Sequence, residues 1–583
     1  MEKIKLFWQK TISDCLNKMG NKNISISDVS IETPPKEELG DIAVPLFPFS
    51  KIFKTSPNKI ATGLIKELEN NNELKSRASF KIVGPYLNIF LDKKSVTKSV
   101  IEQILYDGEN YGKSNILKNK RIMVEFSGPN TNKPLHLGHL RNDVIGESIC
   151  RVFTFCGADV YRVNIINNRG VHICKSMFAY KKLATGKTPE SEKIKSDHFV
   201  GNLYVAFHNY QKEHPEAEQE IKNMLKEWEE GKNQELMQLW KLMNDWALKG
   251  MEETYKRTNI CFDKLYFESE TYLKGKDEVL EGLKSGVFYK KDDCSIAVDL
   301  NPIGIENEKI LIRKDGTSLY ITQDIGTAIF RHKDWNFDRM IYVVANEQEH
   351  HFKVLFYILK LLGYEWAADM HHLSYGMVNL PEGKMKSREG TVVDADNLLD
   401  ILHNEAKKEI LEKGRKDVIK DIEDTSEKIA LAALHYFLLQ VSPKKDMLFD
   451  PKKSLSFNGN TGPYLQYMGS RLSSLLEKAS TFSYDLKNID FNLLQDDTEW
   501  SLVKVLSMFP EKIEKASQDM DISVITSYLY ELSKTFSKFY HDCQIITNDD
   551  KSLTIARLSL CKASLIVLKN AMNLCVLPFL EAM

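Results

Sequence analysis

The sequence predicts an α/β protein with a parallel sheet, preceded by a separate α+β domain and followed by an all-α domain. An apolar, β-branched run at residues 121–126 leads into a polar loop and then a helix that begins near His136. Further strand-like runs begin at Asp159 and Met340, and each ends in polar residues. From about residue 423 onward the apolar spacing is helical, so strands are expected mainly upstream of that point.

Length and composition indicate an ordinary globular protein of three or four domains. The chain has 583 residues, of which 43% are hydrophobic and 27% charged, with a net charge of −2. No apolar stretch approaches the roughly 20 residues needed to cross a bilayer, so we expect a cytoplasmic protein without membrane association. Nine scattered cysteines form no CxxC pair, which favours free thiols. Any RNA contact must come from local patches, because the overall charge attracts no polyanion.

Residues 1–115 are predicted to form the separate α+β domain. Residues 32–43 are rich in turn formers, and residues 80–91 carry strand signals on both sides of Gly84-Pro85. On these residues alone, a purely structural domain is the simpler interpretation.

The loop between the first strand and His136 has the features of an anion site. Free N–H groups and the positive end of a helix both face the crevice at such a point. His136 and His139 are three residues apart and share a helix face, Gly138 leaves room for a flat ring or a phosphate, and Lys133 adds a mobile positive charge. Four residues of this kind, taken alone, are as often a surface pair or half of a metal site.

Residues from about 181 to 275 have the spacing of amphipathic helices. Apolar residues recur at three and four residues among many Glu and Lys: Leu225, Trp228, Leu236, Leu239, Trp240, Met243 and Trp246. We interpret this segment as a helical insertion that separates the two halves of the nucleotide-binding fold. Its aromatic stripe is expected to be core.

Residues 310–325 predict a strand, a tight Asp-Gly turn and the start of a helix. Tyr320 and Asp324 lie four residues apart and would share one face of that helix. Taken alone, Asp324 is explained as an acid favoured at a helix N-terminus by the macrodipole.

Several strings resemble the arginyl-tRNA synthetases among the class I aminoacyl-tRNA synthetases. Residues 128–142, which include Pro129-Asn130 and His136-Leu137-Gly138-His139, are similar to the first signature of that class. Gly383–Val393 is similar to its KMSKS loop, and residues 457–471 to the string that begins the anticodon-binding bundle. The segments at 32–43 and 80–91 resemble the family's N-terminal appended domain, and residues 371–378 the strand whose backbone holds adenine.

The resemblance implies a fold class, an activity and a set of site residues. The fold is α/β, with a class I Rossmann-like catalytic domain (116–422), an N-terminal α+β domain that binds tRNA (1–115) and a C-terminal all-α anticodon-binding bundle (423–583). The activity is ligation of L-arginine to tRNA(Arg) through an arginyl-adenylate, with ATP as substrate and Mg²⁺ as cofactor. The implied residues are His136, His139, Lys133, Lys384 and Lys386 for catalysis; Gly138, Met377 and Val378, with both histidines, for ATP; Glu125, Asn130, Tyr320, Asp324 and Gln348 for arginine; and Tyr464, Tyr540 and Arg557 for tRNA.

The arginine assignment agrees with the chemistry of the ligand. A guanidinium is a planar fork of five donors that keeps its proton, so it requires a fixed carboxylate and neutral acceptors. An aspartate held by packing can distinguish it from the point-like ammonium of lysine. The C-terminal residues 501–583 carry no net charge, so anticodon bases must be read by stacking and by hydrogen bonds along their edges.

The second loop departs from the family pattern, because Ser387 and Arg388 stand where a lysine and a serine are expected. Which of Lys133, Lys384 and Lys386 meets the phosphates therefore stays open, and Asn168, where the family has Asp, is given no catalytic role. A different nucleotidyl-transferring enzyme would have no use for the C-terminal bundle, and a non-catalytic RNA-binding paralogue would not need the intact histidine motif. The sequence does not determine the oligomeric state, and a monomer is the working expectation.

Overall fold

The computed structural model describes residues 2–20, 23–272, 274–379, 393–412, 414, 419–481, 489–547 and 549–583. The chain forms two compact units, one made of Met1–Gly112, Met468–Ile513 and Tyr528–Ala571, the other of Lys113–Tyr467, Glu514–Ser527 and Met572–Met583. All nine cysteines are free. Within the described residues, no helix combines the length and the apolarity that a membrane span requires.

The first unit contains a three-stranded antiparallel sheet with strand order β1-β3-β2. The predicted strands at 80–91 are confirmed as a hairpin, and the turn between them is made by Gly84 with a φ of 57°. The α+β prediction for this region is therefore confirmed. Its elements are β1 (Ile42–Pro45), β2 (Ala78–Val83), β3 (Tyr86–Leu91), α1 (Glu2–Gly20), α2 (Ser50–Phe53), α3 (Pro57–Glu69), α4 (Asn72–Arg77) and α5 (Lys93–Asp107).

The second unit is built on a five-stranded parallel sheet, as the buried apolar runs predict. Its strand order is β11-β10-β4-β5-β6. β5 and β6 are added on one side of β4, and the later strands β10 and β11 on the other side, so the order of the strands reverses at β4. Ligands bind beyond the carboxyl ends of strands at such a reversal, and the first signature follows β4 directly. The strands are β4 (Arg121–Glu125), β5 (Asp159–Ile166), β6 (Lys264–Phe267), β10 (Arg339–Ala345) and β11 (Met370–Tyr375).

The helical segment lies elsewhere in the topology than the sequence predicted. Its helices run between β5 and β6, within the first half of the sheet, and β6 at 264–267 interrupts the range expected to be helical to about 275. A four-residue strand that follows a long helical stretch has too little periodicity to be recognised. The helices of this half are α6 (Leu137–Phe155), α7 (Val171–Leu183), α8 (Pro189–Glu192), α9 (Ser196–Glu213), α10 (Ala217–Glu230) and α11 (Gln234–Thr258).

A small antiparallel sheet, with strand order β7-β8-β9, separates the two halves instead. It is followed by the helix that carries Tyr320 and Asp324, so the predicted strand, turn and helix at 310–325 are confirmed. The elements are α12 (Glu268–Thr271), α13 (Lys276–Lys284), β7 (Tyr289–Lys290), β8 (Ile296–Asp299), β9 (Glu308–Ile312), α14 (Tyr320–Asp334) and α15 (Glu349–Leu361).

Beyond β11, the described residues form helices joined by loops, apart from one short parallel pairing of β12 with β13. β13 lies beyond residue 423, where no strand was expected, and two residues are too few to leave a sequence pattern. The elements are β12 (Val378–Asn379), α16 (Ala395–Glu412), α17 (Ile422–Leu439), β13 (Met447–Leu448), α18 (Pro451–Ser454), α19 (Gly462–Lys478), α20 (Asp497–Ser507), α21 (Phe509–Asp519), α22 (Ser523–Asp542) and α23 (Lys551–Leu574).

Trp500 is expected to be a main stabilising residue of the first unit. It is 6% exposed, and its indole N–H donates to a carboxylate oxygen of Asp41 at 3.1 Å. Truncating a buried tryptophan costs about 3–5 kcal/mol, so Trp500→Ala should lower the thermal midpoint by about 6 °C or more. Tyr106→Ala is the control, because Tyr106 is 91% exposed and its loss should shift the midpoint by less than about 2 °C. Equal shifts in a differential scanning fluorimetry experiment would contradict this assignment.

Candidate functional site

A cavity of about 450 Å³ opens where β4, β5, β10 and β11 end. Seven of the site residues predicted from the sequence line it: Glu125, Lys133, His136, Gly138, His139, Met377 and Val378. Asn130, Tyr320, Asp324 and Gln348 are not among its lining residues. Lys384 and Lys386 lie outside the described residues. The structure thus brings the predicted ATP residues together, whereas most of the predicted arginine residues are not part of the lining.

The loop after β4 bends through two consecutive left-handed residues. Ser127 has a φ of 77° and Gly128 a φ of 64°, and the first of these is unfavourable for a residue with a side chain. Two buried amides hold the bend, because Asn142 accepts from the N–H of Ser127 at 2.6 Å and Asn164 accepts from the N–H of Gly128 at 2.9 Å. The strand therefore ends abruptly and the following residues turn over the cavity.

The two histidines at the start of α6 are fixed by the helix itself. His136 is the N-cap residue, and its Nδ1 accepts from the N–H of Gly138 at 3.1 Å. The Nδ1 of His139 accepts from the N–H of His136 at 3.2 Å, and the ring centroids are 3.9 Å apart. A neutral imidazole that accepts at Nδ1 carries its proton at Nε2. Both histidines are therefore Nε2–H donors.

Burial keeps both imidazoles neutral. It lowers the pKa of His136 to about 4, with a further contribution from the charge of Lys133, and it lowers the pKa of His139 well below its ordinary value. Burial also lowers the pKa of Lys133. The site thus offers two neutral donors and one lysine at the same helix terminus.

Gly138 lines the cavity and also makes room for a neighbouring side chain. A Cβ at this position would lie 3.0 Å from two atoms of the His136 ring. The glycine therefore makes room for the imidazole of His136, and the room for a ligand that the sequence suggested stays a prediction.

Glu125, at the end of β4, is already paired. Its carboxylate forms an ion pair with the buried guanidinium of Arg331 on α14. Burial raises the pKa of Glu125, and the charge of Arg331 opposes that rise. The negative charge of Glu125 at the cavity wall is therefore compensated by the guanidinium of Arg331.

Three of the predicted arginine residues, Tyr320, Asp324 and Gln348, lie at the starts of α14 and α15. Asp324 Oδ2 lies 2.6 Å from Nε2 of His351. Tyr320 is 76% exposed, and Gln348 is also exposed, at the N-cap of α15. Asn130 pairs through its backbone with Asn167, at the end of β5. The four predicted residues thus lie on three different elements.

Four residues that no motif singled out for a role contribute to this site. Asn142 supports Ser127, Arg331 pairs with Glu125, and His351 contacts Asp324. The hydroxyl of Tyr255, on α11, lies 2.7 Å from that of Ser127 and 3.2 Å from Nδ2 of Asn164. An arginine within the predicted helix was the available signal for Arg331, and residue spacing gives no signal for the contacts of the other three.

A cluster of acidic and basic residues lies on α9 and α16, outside the cavity described above. Among the described residues, Asp197, His198 and Asp396 bring ligand atoms within 4.8 Å of one another. The ammonium of Lys195 already lies 2.6 Å from Asp396 Oδ2. A lysine therefore supplies the positive charge at the place where a metal ion would bind.

The three residues predicted to contact tRNA do not share one unit. Tyr464 belongs to the second unit, whereas Tyr540 and Arg557 belong to the first. Arg557 forms an ion pair with the buried Glu499 at 2.7 Å. Tyr540 is 38% exposed, and the guanidinium of Arg471 lies 5.0 Å from its ring centroid.

Three family models match successive parts of the chain. Residues 6–91 match the arginyl tRNA synthetase N terminal domain, and residues 100–450 match the catalytic domain of tRNA synthetases class I (R). Residues 465–583 match the DALR anticodon binding domain. The catalytic-domain match ends at residue 450 and the anticodon-binding match begins at residue 465, whereas the sequence suggested a boundary at 423.

The chain is similar to curated and solved proteins over its whole length. It is 60% identical to an arginine–tRNA ligase of Treponema denticola, with all of both chains covered, and 54% identical to that of Treponema pallidum, with 99% of both covered. The arginyl-tRNA synthetase of Thermus thermophilus has a similar structure, with a TM-score of 0.80, 25% identity and 99% of both chains covered.

We expect the His136 ring to stay neutral from pH 8 to about pH 5, because its pKa is lowered to about 4. Two-dimensional NMR of histidine-labelled protein can follow the ring, with His136→Asn for assignment. Since the positive charge of Lys133 contributes to the lowering, Lys133→Met should raise the midpoint. A ring that titrates near pH 6.5 in the wild type would contradict the neutral-donor assignment.

Proposed function

This chain belongs to the arginyl-tRNA synthetase family, and from that premise we propose how its cavity performs the family's reaction. The reaction ligates L-arginine to tRNA(Arg) through an arginyl-adenylate and uses ATP, releasing AMP and pyrophosphate. The observation that carries the proposal is the pair of neutral Nε2–H donors, His136 and His139, beside Lys133 in one cavity. The following assignments extend that observation.

The phosphates of ATP bind at the start of α6. Both histidines donate from Nε2 to phosphate oxygens, and Lys133 neutralises part of their charge. Lys384 and Lys386 are proposed as further cations from the second signature loop. No general base is needed here, because the carboxylate of arginine is already ionised at neutral pH.

Adenine is read by the backbone of β12. Val378 lies opposite Met447 in the parallel pairing of β12 with β13. The carbonyls of Met377 and Asn379 accept from the N–H groups of Met447 and Phe449 at 2.9 and 2.8 Å. Because carbonyls alternate along a strand, the N–H and C=O of Val378 face the opposite edge. They are proposed to pair with N1 and the 6-amino group of adenine.

The guanidinium of arginine is proposed to bind Asp324, with Tyr320 and Gln348 as neutral partners. A planar fork can make two parallel hydrogen bonds with one carboxylate. The imidazole of His351 contacts Oδ2 of that carboxylate, so the guanidinium must use the remaining lone pairs or displace the imidazole. Asn130 and Glu125 are proposed to meet the α-amino and carboxylate groups.

The chemical step then follows from positioning. A carboxylate oxygen of arginine forms a bond to the α-phosphorus, and the bond from that phosphorus to the bridging oxygen breaks, which releases pyrophosphate. A hydroxyl of the terminal tRNA ribose next attacks the arginyl carbonyl carbon, and AMP leaves. The histidine donors accelerate the first step by stabilising charge on the phosphate oxygens in the transition state.

Magnesium is proposed to enter with ATP. Mg²⁺ prefers oxygen ligands and usually combines one or two carboxylates with substrate phosphates. Glu347 lines the cavity and forms no ion pair among the described residues, so its carboxylate fits this donor set. When bound, the metal neutralises phosphate charge.

The tRNA is proposed to contact two regions outside the catalytic cavity. Residues 1–115 form an appended tRNA-binding domain, and the helices near the C-terminus read the anticodon, with Tyr464, Tyr540 and Arg557 as contacts. Glu499 neutralises the charge of Arg557. We therefore propose that Arg557 positions the helices that read the anticodon, and that Tyr540 stacks on an anticodon base. The protein is proposed to act as a cytoplasmic monomer.

ATP–pyrophosphate exchange with each amino acid, run with and without total tRNA, tests the function. We expect exchange with arginine and with no other amino acid. A requirement for tRNA would add that activation is coupled to tRNA binding. His136→Ala should reduce the rate about 100- to 1,000-fold, as loss of a transition-state donor does. Exchange with another amino acid, or none at all, would overturn the proposal.

Asp324→Asn tests the arginine assignment separately. Losing the charge of a hydrogen-bonded carboxylate should raise the KM for arginine about 10- to 100-fold and change the KM for ATP by less than about twofold. Asp334→Asn is the matched control at the other end of α14, where Asp334 contacts Lys264 and Tyr266. The assignment is wrong if Asp324→Asn raises both KM values alike.

A further inference from the structure

Arg141 is a buried arginine whose guanidinium faces backbone carbonyls. It is 0% exposed. Nη1 donates to the carbonyls of Gly376 and Met377 at 2.6 and 3.3 Å, and Nη2 donates to those of Pro443 and Lys445 at 3.2 and 2.8 Å. One side chain thus joins two segments that lie about 70 residues apart in sequence.

This arrangement is unusual, because a buried charge normally has a counterion. Among the described residues, no carboxylate forms an ion pair with Arg141. The nearest acidic contribution comes from Asp446, whose Oδ1 accepts from the N–H of Met377 at 2.7 Å. Four carbonyl dipoles therefore balance most of the positive charge, so the charge holds those four carbonyls in place.

The two joined segments form the wall that precedes Val378. The N–H of Gly376 donates to the carbonyl of Pro443 at 2.9 Å. A Cβ on Gly376 would lie 2.6 Å from the N–H nitrogen of Asp446, so the segments approach as closely as the backbone permits. Met377 uses its backbone N–H and C=O within this contact, so Val378 is the next residue whose backbone groups can face the cavity.

We propose that Arg141 is a positioning residue for the adenine ring, which it orients by fixing the backbone of Gly376 and Met377 against residues 443–446. The inference rests on the proposed function, since it assumes that Val378 reads adenine. Arg141 follows His136 by five residues and His139 by two, at the start of the same helix. The helix that binds the phosphates therefore also sets the distance from those phosphates to the base.

The geometry requires arginine and not merely a positive charge. Its planar fork presents two terminal nitrogens in fixed directions, and each serves one segment. A lysine ammonium is a single point that cannot span both segments at once. Arg141→Lys should therefore keep the charge and the fold while loosening one segment.

Arginine-dependent exchange measured with Arg141→Lys tests this role. The KM for ATP should rise about tenfold or more, as expected when the hydrogen bonds to the base are misaligned. The KM for arginine should change less than about twofold. Inosine triphosphate has a carbonyl in place of the 6-amino group and a donor at N1, so the preference for ATP over it should fall.

Arg151→Lys is the matched control on α6. Arg151 pairs with Glu147 and with the carbonyl of Asn573, away from the residues that line the cavity, so it should leave the base preference unchanged. Asp446→Ala disturbs the same wall from the other side and should weaken base preference in the same direction. Combined with Arg141→Lys, its effect should be less than additive.

The outcomes separate this inference from the proposed function. If the wild type exchanges with arginine but Arg141→Lys leaves the KM for ATP and the base preference unchanged, the positioning role is wrong. It is also wrong if the KM values for ATP and arginine rise alike, since that indicates general loosening. Absence of exchange in the wild type would instead remove the proposed function itself.

Discussion

The amide of Asn142 is the interaction on which the rest of the site depends. Its oxygen accepts from the N–H of Ser127 at 2.6 Å, and its nitrogen donates to the carbonyl of Val343 at 2.7 Å and lies 3.1 Å from the hydroxyl of Tyr375. These three partners stand at the ends of β4, β10 and β11. One buried side chain on α6 therefore sets the helix at a fixed height above three strands, and an unpaired amide here would be costly.

With α6 fixed in this way, the chemistry of the histidines follows from the backbone. The helix N-terminus provides N–H groups to both Nδ1 atoms, which leaves both protons on Nε2. Burial then removes the option of a charged imidazole. The two rings act as oriented dipoles that need no reorganisation when a phosphate arrives, which is the arrangement that stabilises developing charge most effectively.

The sequence predicts groups that lie close together in the chain. It does not predict contacts between residues that are far apart in the chain. His136 and His139 could be predicted because strand, loop and helix start are consecutive. The pairing of His351 with Asp324 spans 27 residues, and the contact of Tyr255 with Ser127 spans 128. Periodicity reports which face of an element is buried, and it carries no information about which polar group on another element completes a hydrogen bond. For the same reason the sequence assigns α11 to an insertion, although its Tyr255 contacts Ser127 in the loop after β4.

The distribution of charge around the cavity completes the argument. Arg141 and Arg331 are both buried, but carbonyl dipoles and Glu125 respectively take up their charges. The histidines are neutral, so among the described lining residues Lys133 is the one that brings positive charge to a triphosphate. We propose that this cavity, which has one lysine among its described lining residues, binds ATP in large part through the hydrogen-bond donors of the two histidines. Stabilisation that grows only as charge develops on the phosphates accelerates the reaction, whereas tighter binding of the ground state would not.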